Sequence, residues 1–270
     1  MENTFNKNPI TQISGTLCKC MAINPPKFAN SYMPELTSAL LSQIDNTAFD
    51  RVLIFNPDAI GQWIYEKYYN KFELVRKHAP LEVKMLSVVP PKTPVCFASI
   101  YTGATPEEHG ICHYEKPVLK IDTLFDALIR AGKKPCIVSV AEQSMDLIFR
   151  GKDMDYFSLP YDSETVDKAI ELIKQDQYDF IAVYVQEYDD RMHRSSPQSK
   201  SSLRAIDNYS KLFDKLITCA KENWQQHNTL VAYMPDHGVH REWYLLGQHG
   251  KNIPKDMNIV HFYGVIKAKK

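Results

Sequence analysis

Short apolar runs rich in β-branched residues alternate along this chain with segments whose apolar positions recur at helical spacing. The runs predict strands over Arg51–Asn56, Glu82–Val89, Lys134–Val140, Asp179–Gln186, Thr229–Met234 and Asn258–Ile266. The helical spacing predicts helices over Met33–Ile44, Ala59–Tyr69, Thr123–Ala131, Glu142–Phe149, Glu164–Gln175 and Ser202–Asn223. Gly132 follows one of these as a C-terminal stop, and Ser163 with an acidic first turn opens another. Strand and helix in alternation define an α/β protein. No repeat, low-complexity tract or Gly/Ser linker divides the chain, so residues 1–270 are expected to form one domain. The first 30 residues have little periodicity and are expected to be an arm packed on the core.

Composition removes several classes of function. The 32 basic and 32 acidic residues cancel, which argues against binding a nucleic-acid polymer or an anionic membrane. No apolar stretch approaches the roughly 20 residues that span a bilayer. The opening MENTFNKNPITQ lacks a basic region followed by an apolar one, so a secretory signal is not expected. Six cysteines at 18, 20, 96, 112, 136 and 219 are sparse for a disulfide framework and read as reduced thiols of a cytoplasmic protein. Cys18 and Cys20 form a C-x-C pair, but with no second pair at zinc-site spacing they read as ordinary thiols.

Candidate chemistry gathers just past the strands, where ligands bind in open α/β sheets. In VVPPKTPVCFASIYTGATPEEHG, residues 88–110, Thr93 suits a helix N-cap and Pro94 the first helical position. The free N–H groups of such a helix start favour an anion, although Thr93 as a plain cap is an alternative reading. The other strand ends deliver Asp58, then Asp189 and His193, then Asp236 and His237, with His249 before the last strand. Three aspartates, three histidines and a threonine hydroxyl suit two borderline divalent cations, Zn²⁺ foremost with Mn or Fe as alternatives. Two such ions suit phosphoryl transfer, and a coordinated Thr93 would be the nucleophile.

The ordered segments K-T-P-V-C-F-A-S-I-Y-T-G, P-E-E-H-G-I, Y-D-D-R-M-H, P-D-H-G and Q-H-G resemble the motifs of the alkaline phosphatase superfamily, closest to its type I phosphodiesterase/nucleotide pyrophosphatase branch, from about Arg51 to Gly250. The resemblance implies a three-layer sandwich, a mostly parallel sheet with helices on both faces and no large cap domain. It makes Thr93 the metal-bound nucleophile, with Asp58, Asp236 and His237 at its metal. It assigns Asp189, His193 and His249 to the second metal. The implied activity is metal-dependent hydrolysis of phosphodiesters or nucleotide pyrophosphates; alternatives are a phosphomonoesterase, a phosphonate hydrolase or a metal- or nucleotide-binding protein that has lost catalysis. A sulfatase would need a C-x-P-x-R segment, which Cys96-Phe97-Ala98-Ser99-Ile100 does not supply.

The chain departs from the family pattern in reading N-P-D-A-I-G where an aspartate is usually followed directly by glycine, and in carrying Cys96 where pyrophosphatase members have an asparagine. Lys92, Cys96, Arg191 and His240 are candidate substrate contacts, with simple burial the alternative for Cys96. Arg194 and Arg241 also flank ligand residues and could reach phosphate. His109, in T-P-E-E-H-G, reads as a structural hydrogen-bonding residue.

Overall fold

The computed structural model describes residues 4–29, 31–45, 48–243 and 246–269. Its strands in chain order are β1 (Asn8–Pro9), β2 (Arg51–Pro57), β3 (Leu81–Leu86), β4 (Pro135–Val140), β5 (Asp155–Leu159), β6 (Phe180–Val185), β7 (Thr229–Tyr233), β8 (His240–Arg241), β9 (Gly247–Gln248) and β10 (Asn258–Ile266). The α-helices are α1 (Gln12–Cys20), α2 (Pro34–Leu41), α3 (Gln62–Lys67), α4 (Glu73–His78), α5 (Thr93–Thr102), α6 (Pro106–His109), α7 (Leu124–Arg130), α8 (Ser144–Leu147), α9 (Asp162–Gln175), α10 (Glu187–Arg194), α11 (Lys200–Asn223) and α12 (Pro254–Met257).

The main sheet has the order β1-β3-β10-β7-β2-β6-β4-β5. Its centre is parallel, with β2 paired to both β6 and β7 and β4 to β6. Only β10 runs against its neighbours, β3 and β7. Strands β4, β6 and β7 are buried along their whole length, as parallel strands covered on both faces must be. Successive side chains of β2 enter opposite layers: Val52 and Ile54 join a core with α1, α5 and α7, while Leu53 and Phe55 join another with α9, α10 and α11. The result is the three-layer α/β arrangement that the sequence motifs imply.

The first 30 residues are more than an arm. Apart from residues 1–3 and 30, which lie outside the described residues, they add β1 beside β3 and bury Ile13, Leu17, Cys18 and Cys20 of α1. Other boundaries move for local reasons. The strand predicted over Glu82–Val89 stops at Leu86, short of Pro90 and Pro91, which have no N–H to offer a ladder. Helix α3 starts at Gln62 because Ala59 is left-handed, with φ 68°. Helix α8 is shortened in the same way by Glu142, with φ 61°. Helix α9 begins at Asp162, whose carboxylate accepts the N–H groups of Gln186 and Glu187, so Ser163 lies inside the helix and not at its cap.

Gly103 ends α5 at φ 72°, and a Cβ there would stand 2.7 Å from the Ala29 Cα. Gly132 has nearly the same φ, 71°, with open space around it. Gly103→Ala should therefore lose about 3 kcal/mol of unfolding free energy, backbone strain plus overpacking, while Gly132→Ala loses about 1 kcal/mol from strain alone. Urea denaturation midpoints of the two variants check this; equal losses would remove the packing argument.

Candidate active site

Asp58 follows β2, α10 follows β6 and carries Asp189 and His193 one helical turn apart, and Asp236 and His237 follow β7. All three parallel strands end on the same side of the sheet. The β8–β9 hairpin returns His249 to the same place, and α5 points its first residue, Thr93, at it. Two three-residue clusters result, Asp189 with His193 and His249, and Asp58 with Asp236 and His237, each with potential ligand atoms within 4.8 Å of one another. They adjoin, because the His237 and His249 rings stack with centroids 4.1 Å apart.

Thr93 is the first helical residue, Lys92 holds the N-cap position and Pro94 follows inside the first turn. This corrects the expected cap by one residue. The Lys92 side chain makes no capping bond. Thr93 Oγ1 lies 3.4 Å from Asp58 Oδ2 and 3.3 Å from His237 Nε2.

The three imidazoles are oriented alike. Nδ1 of His193, His237 and His249 faces the carbonyls of Gly247, Gly238 and Pro91, at 3.1, 3.0 and 3.1 Å. A carbonyl only accepts, so each Nδ1–H donates and, in the neutral ring, Nε2 turns a lone pair into the site, the arrangement by which proteins orient metal-binding histidines. What these lone pairs meet are carboxylate oxygens. His193 Nε2 and His249 Nε2 lie 3.3 and 3.6 Å from Asp189 Oδ1, and His237 Nε2 lies 3.3 Å from Asp236 Oδ2 and 3.5 Å from Asp58 Oδ1. Those same three oxygens are buried without a hydrogen bond. Donors about 2.1 Å from one tetrahedral ion stand about 3.4 Å apart, so both clusters have the spacing and donor chemistry of a zinc-type site.

Electrostatics point the same way. Burial and the charges of Asp236 and Asp189 hold the Asp58 carboxyl well above its ordinary range. Burial pushes Asp236 up to about 8 and pulls His237 and His249 down to about 3. A desolvated cluster of this kind resists having its carboxylates charged unless a cation joins it.

The cleft above measures about 530 Å³ and is lined by Asp58, Lys92, Thr93, Asp189, His193 and His249 among others. Of the four candidate substrate contacts only Lys92 lines it. Cys96 is fully buried behind it, its Sγ 3.1 Å from Ser87 Oγ. Arg191 pairs with Glu187 and faces the adjoining groove over α9. Both nitrogens of His240 are taken by carboxylates, Nδ1 by Asp256 at 2.8 Å and Nε2 by Glu242 at 2.9 Å. His109 has a structural place, accepting the Ile111 N–H and reaching Ser99 Oγ at 3.0 Å. Sequence reasoning missed Tyr184, whose hydroxyl donates to Asp58 Oδ2, and the cleft residues Tyr114 and Lys116. Pairing of β2 with β6 is what aims Tyr184 at Asp58, and no local pattern reports it.

The fold and these clusters define an alkaline phosphatase-like α/β protein. More narrowly, residues 55–243 match the model of the type I phosphodiesterase/nucleotide pyrophosphatase family, and the chain belongs to that family. No curated protein matches it by sequence. Among solved structures, human ectonucleotide pyrophosphatase/phosphodiesterase 5 is 18% identical with a TM-score of 0.56, over 71% of this chain and 57% of that one. An inactive form of the murine protein in complex with AMP is 20% identical with a TM-score of 0.58, over 71% and 58%. The periplasmic domain of phosphoethanolamine transferase EptC from Campylobacter jejuni is 12% identical with a TM-score of 0.58, over 80% of both chains. The present chain thus spans less than two thirds of the ectonucleotide enzymes' length. Among the described residues, no helix is long and apolar enough to cross a membrane.

The shifted groups give a pH prediction for the protein stripped of metal by a chelator. A carboxyl raised in the folded state adds stability that is full below its unfolded pKa and lost as pH rises through the folded one, about 8 for Asp236. The lowered His237 and His249 act oppositely, but only below about 6.5. Burial lowers the His193 pKa, but its Asp189 contacts raise it overall, so His193 adds to the decline. Between pH 6.5 and 8 the melting temperature of the stripped protein should therefore fall. Asp236→Asn, which keeps the oxygen that accepts the Ala59 N–H, should flatten that fall and melt higher at pH 8. Thermal melts in chelator at both pH values check it; a wild type that gains stability from pH 6.5 to 8 contradicts it.

Proposed function

We propose that this chain is a two-metal phosphoester hydrolase that uses Thr93 as nucleophile on phosphodiesters or nucleotide pyrophosphates. The observation that carries the reading is the convergence of three unpartnered carboxylate oxygens and three Nε2 lone pairs at metal-ligand spacing beside the Thr93 hydroxyl. Asp58, Asp236, His237 and Thr93 would hold one ion and Asp189, His193 and His249 the other. Imidazole with carboxylate favours Zn²⁺, with Mn or Fe as substitutes. When bound, such ions supply Lewis acidity and make the threonine hydroxyl acidic enough to react.

The chain's own residues do the rest. Tyr184 donates to Asp58 Oδ2 and so fixes that carboxylate beside Thr93 Oγ1. The substrate phosphorus would take the Thr93 oxygen as the bond to its leaving oxygen breaks, giving a phosphothreonine that water then hydrolyses. The first turn of α5 presents backbone N–H groups that lack helix partners, preorganised for the phosphoryl oxygens. Family membership supports the ester class, and the complex of the murine relative with AMP supports a nucleotide as one product side. Phosphoethanolamine transfer and phosphonoacetate hydrolysis, named for other structures of this fold, are alternative chemistries for the same donor set. The full donor set favours an active enzyme over a lapsed one. Six unpaired thiols support a reducing compartment such as the cytoplasm.

Elemental analysis after Zn²⁺ reconstitution should give two ions per chain. Thr93→Ala should abolish a trappable phosphoenzyme and lower turnover of bis(p-nitrophenyl) phosphate by about a thousandfold or more, with at least one ion retained, while Thr93→Ser keeps partial activity. Near-wild-type turnover by the Ala variant would make water the nucleophile.

A further inference from the structure

The cleft is not lined only by acids and imidazoles. Lys92 and Lys116 both open onto it, and neither is a surface residue by geometry: each is half-buried, on a different element. Lys92 holds the N-cap position of α5, directly before Thr93. Its stem packs on Gly250, where an added Cβ would come 3.1 Å from Lys92 Cε, so a neighbour of His249 steers it. Among the described residues its ammonium has no hydrogen-bond or ion-pair partner. Lys116 comes from the segment after α6. Its Nζ donates to the Glu142 carbonyl at 2.9 Å and to Gln143 Oε1 at 3.3 Å, which uses two of three N–H donors and holds the group at the cleft wall. Burial pulls the Lys116 ammonium's pKa down, and the nearby Asp58 and Glu142 carboxylates oppose that shift.

Charge balance gives these lysines a task. In the proposed loaded state, two divalent ions are matched by the carboxylates of Asp58, Asp189 and Asp236 and the Thr93 alkoxide. What remains on the cleft lining is two ammonium groups against one further carboxylate, Asp190. A cleft with surplus positive charge and fixed ammonium donors discriminates by the charge of its ligand, because each charge-assisted hydrogen bond exceeds a neutral one. A phosphodiester's single charge balances that surplus of one, but two ammoniums on different elements can each face a full negative charge only when the ligand carries two.

We propose that Lys92 and Lys116 are specificity-determining residues that select substrates bringing a second negative charge into the cleft beside the scissile phosphorus. That charge can sit on the same phosphorus, as in a phosphate monoester, or on a neighbouring phosphate, as in a dinucleoside pyrophosphate. The inference rests on the hydrolase reading above for its substrate class. It differs from it in assigning the choice among phosphate esters to two cations outside both ligand sets.

The test uses Zn²⁺-reconstituted protein and three substrates: p-nitrophenyl phosphate, bis(p-nitrophenyl) phosphate and diadenosine diphosphate. Lys116→Gln and Lys92→Gln should each raise KM about tenfold or more for one or both of the doubly charged substrates, and change it less than about threefold for the singly charged diester. Which doubly charged substrate responds tells where the second charge sits. Lys116→Arg should recover most of the affinity. Equal losses on all three substrates would mean that Lys116 only braces the 142–143 loop, and would overturn the proposal, as would no loss on either doubly charged one. Calorimetric titration with inorganic phosphate against dimethyl phosphate reads the same selectivity without turnover. Wild type that binds phosphate tightly, loses that preference in the Gln variants, yet hydrolyses nothing would sink the hydrolase reading and leave the lysine assignment standing.

Discussion

Three aspartate oxygens and three imidazole nitrogens turn unshared electron pairs toward one another at the floor of the cleft, inside a protein interior that screens them poorly. Among the described residues no lysine or arginine pairs with these oxygens, and burial holds the Asp58 and Asp236 carboxyls toward their neutral forms. The tautomers are fixed by backbone carbonyls of Pro91, Gly238 and Gly247, and the Asp236 and Asp58 carboxylates are anchored by an amide N–H and a tyrosine hydroxyl, so these groups cannot rotate apart without leaving other bonds unmade. The sheet holds the arrangement open. Buried parallel strands, covered on both faces, set Asp58, α10 and the Asp236–His237 pair side by side with little freedom to relax.

The acid side of this cluster was legible before the fold. Asp58, Asp189, Asp236 and their histidine neighbours sit just past apolar runs, and strand ends are visible in a linear pattern. The strands themselves were legible for the same reason, since β2, β4, β6, β7 and β10 are buried along nearly all their length and read as continuous apolar runs. Edge strand β5 was not, because none of its residues is fully buried and its composition is mixed. Nor were the helix starts at Gln62 and Ser144, where Ala59 and Glu142 adopt left-handed backbone that their side chains do not advertise. Capping propensity puts Thr93 one residue off, because it ignores the other groups that claim a hydroxyl.

The substrate side was legible least. Of four residues singled out by proximity in sequence, three have their polar atoms committed elsewhere or buried. Cys96 supports Ser87, whose hydroxyl donates to the Asp236 carbonyl, and His240 spans Asp256 and Glu242. Both brace the loops that carry candidate ligands, so nearness to a motif marked them for a mechanical reason. Lys116 lies 23 positions beyond Thr93 and enters the cleft only because its segment crosses over the loop at Gln143. Sidedness of that sort belongs to tertiary contact and has no periodic signature.

The antiparallel strand β10 carries a consequence for how the protein is made. It lies between β3 and β7, and those two strands otherwise do not pair. Thr93 hangs from the segment after β3, and Asp236 and His237 from the segment after β7. Residues 258–266 come later in the chain than every one of these groups. A growing polypeptide can therefore display all the candidate ligands and the hydroxyl while still lacking the spacer that sets the distance between them. The cluster of carboxylates, imidazoles and hydroxyl takes its spacing from a strand that contributes none of its atoms and follows all of them in the chain.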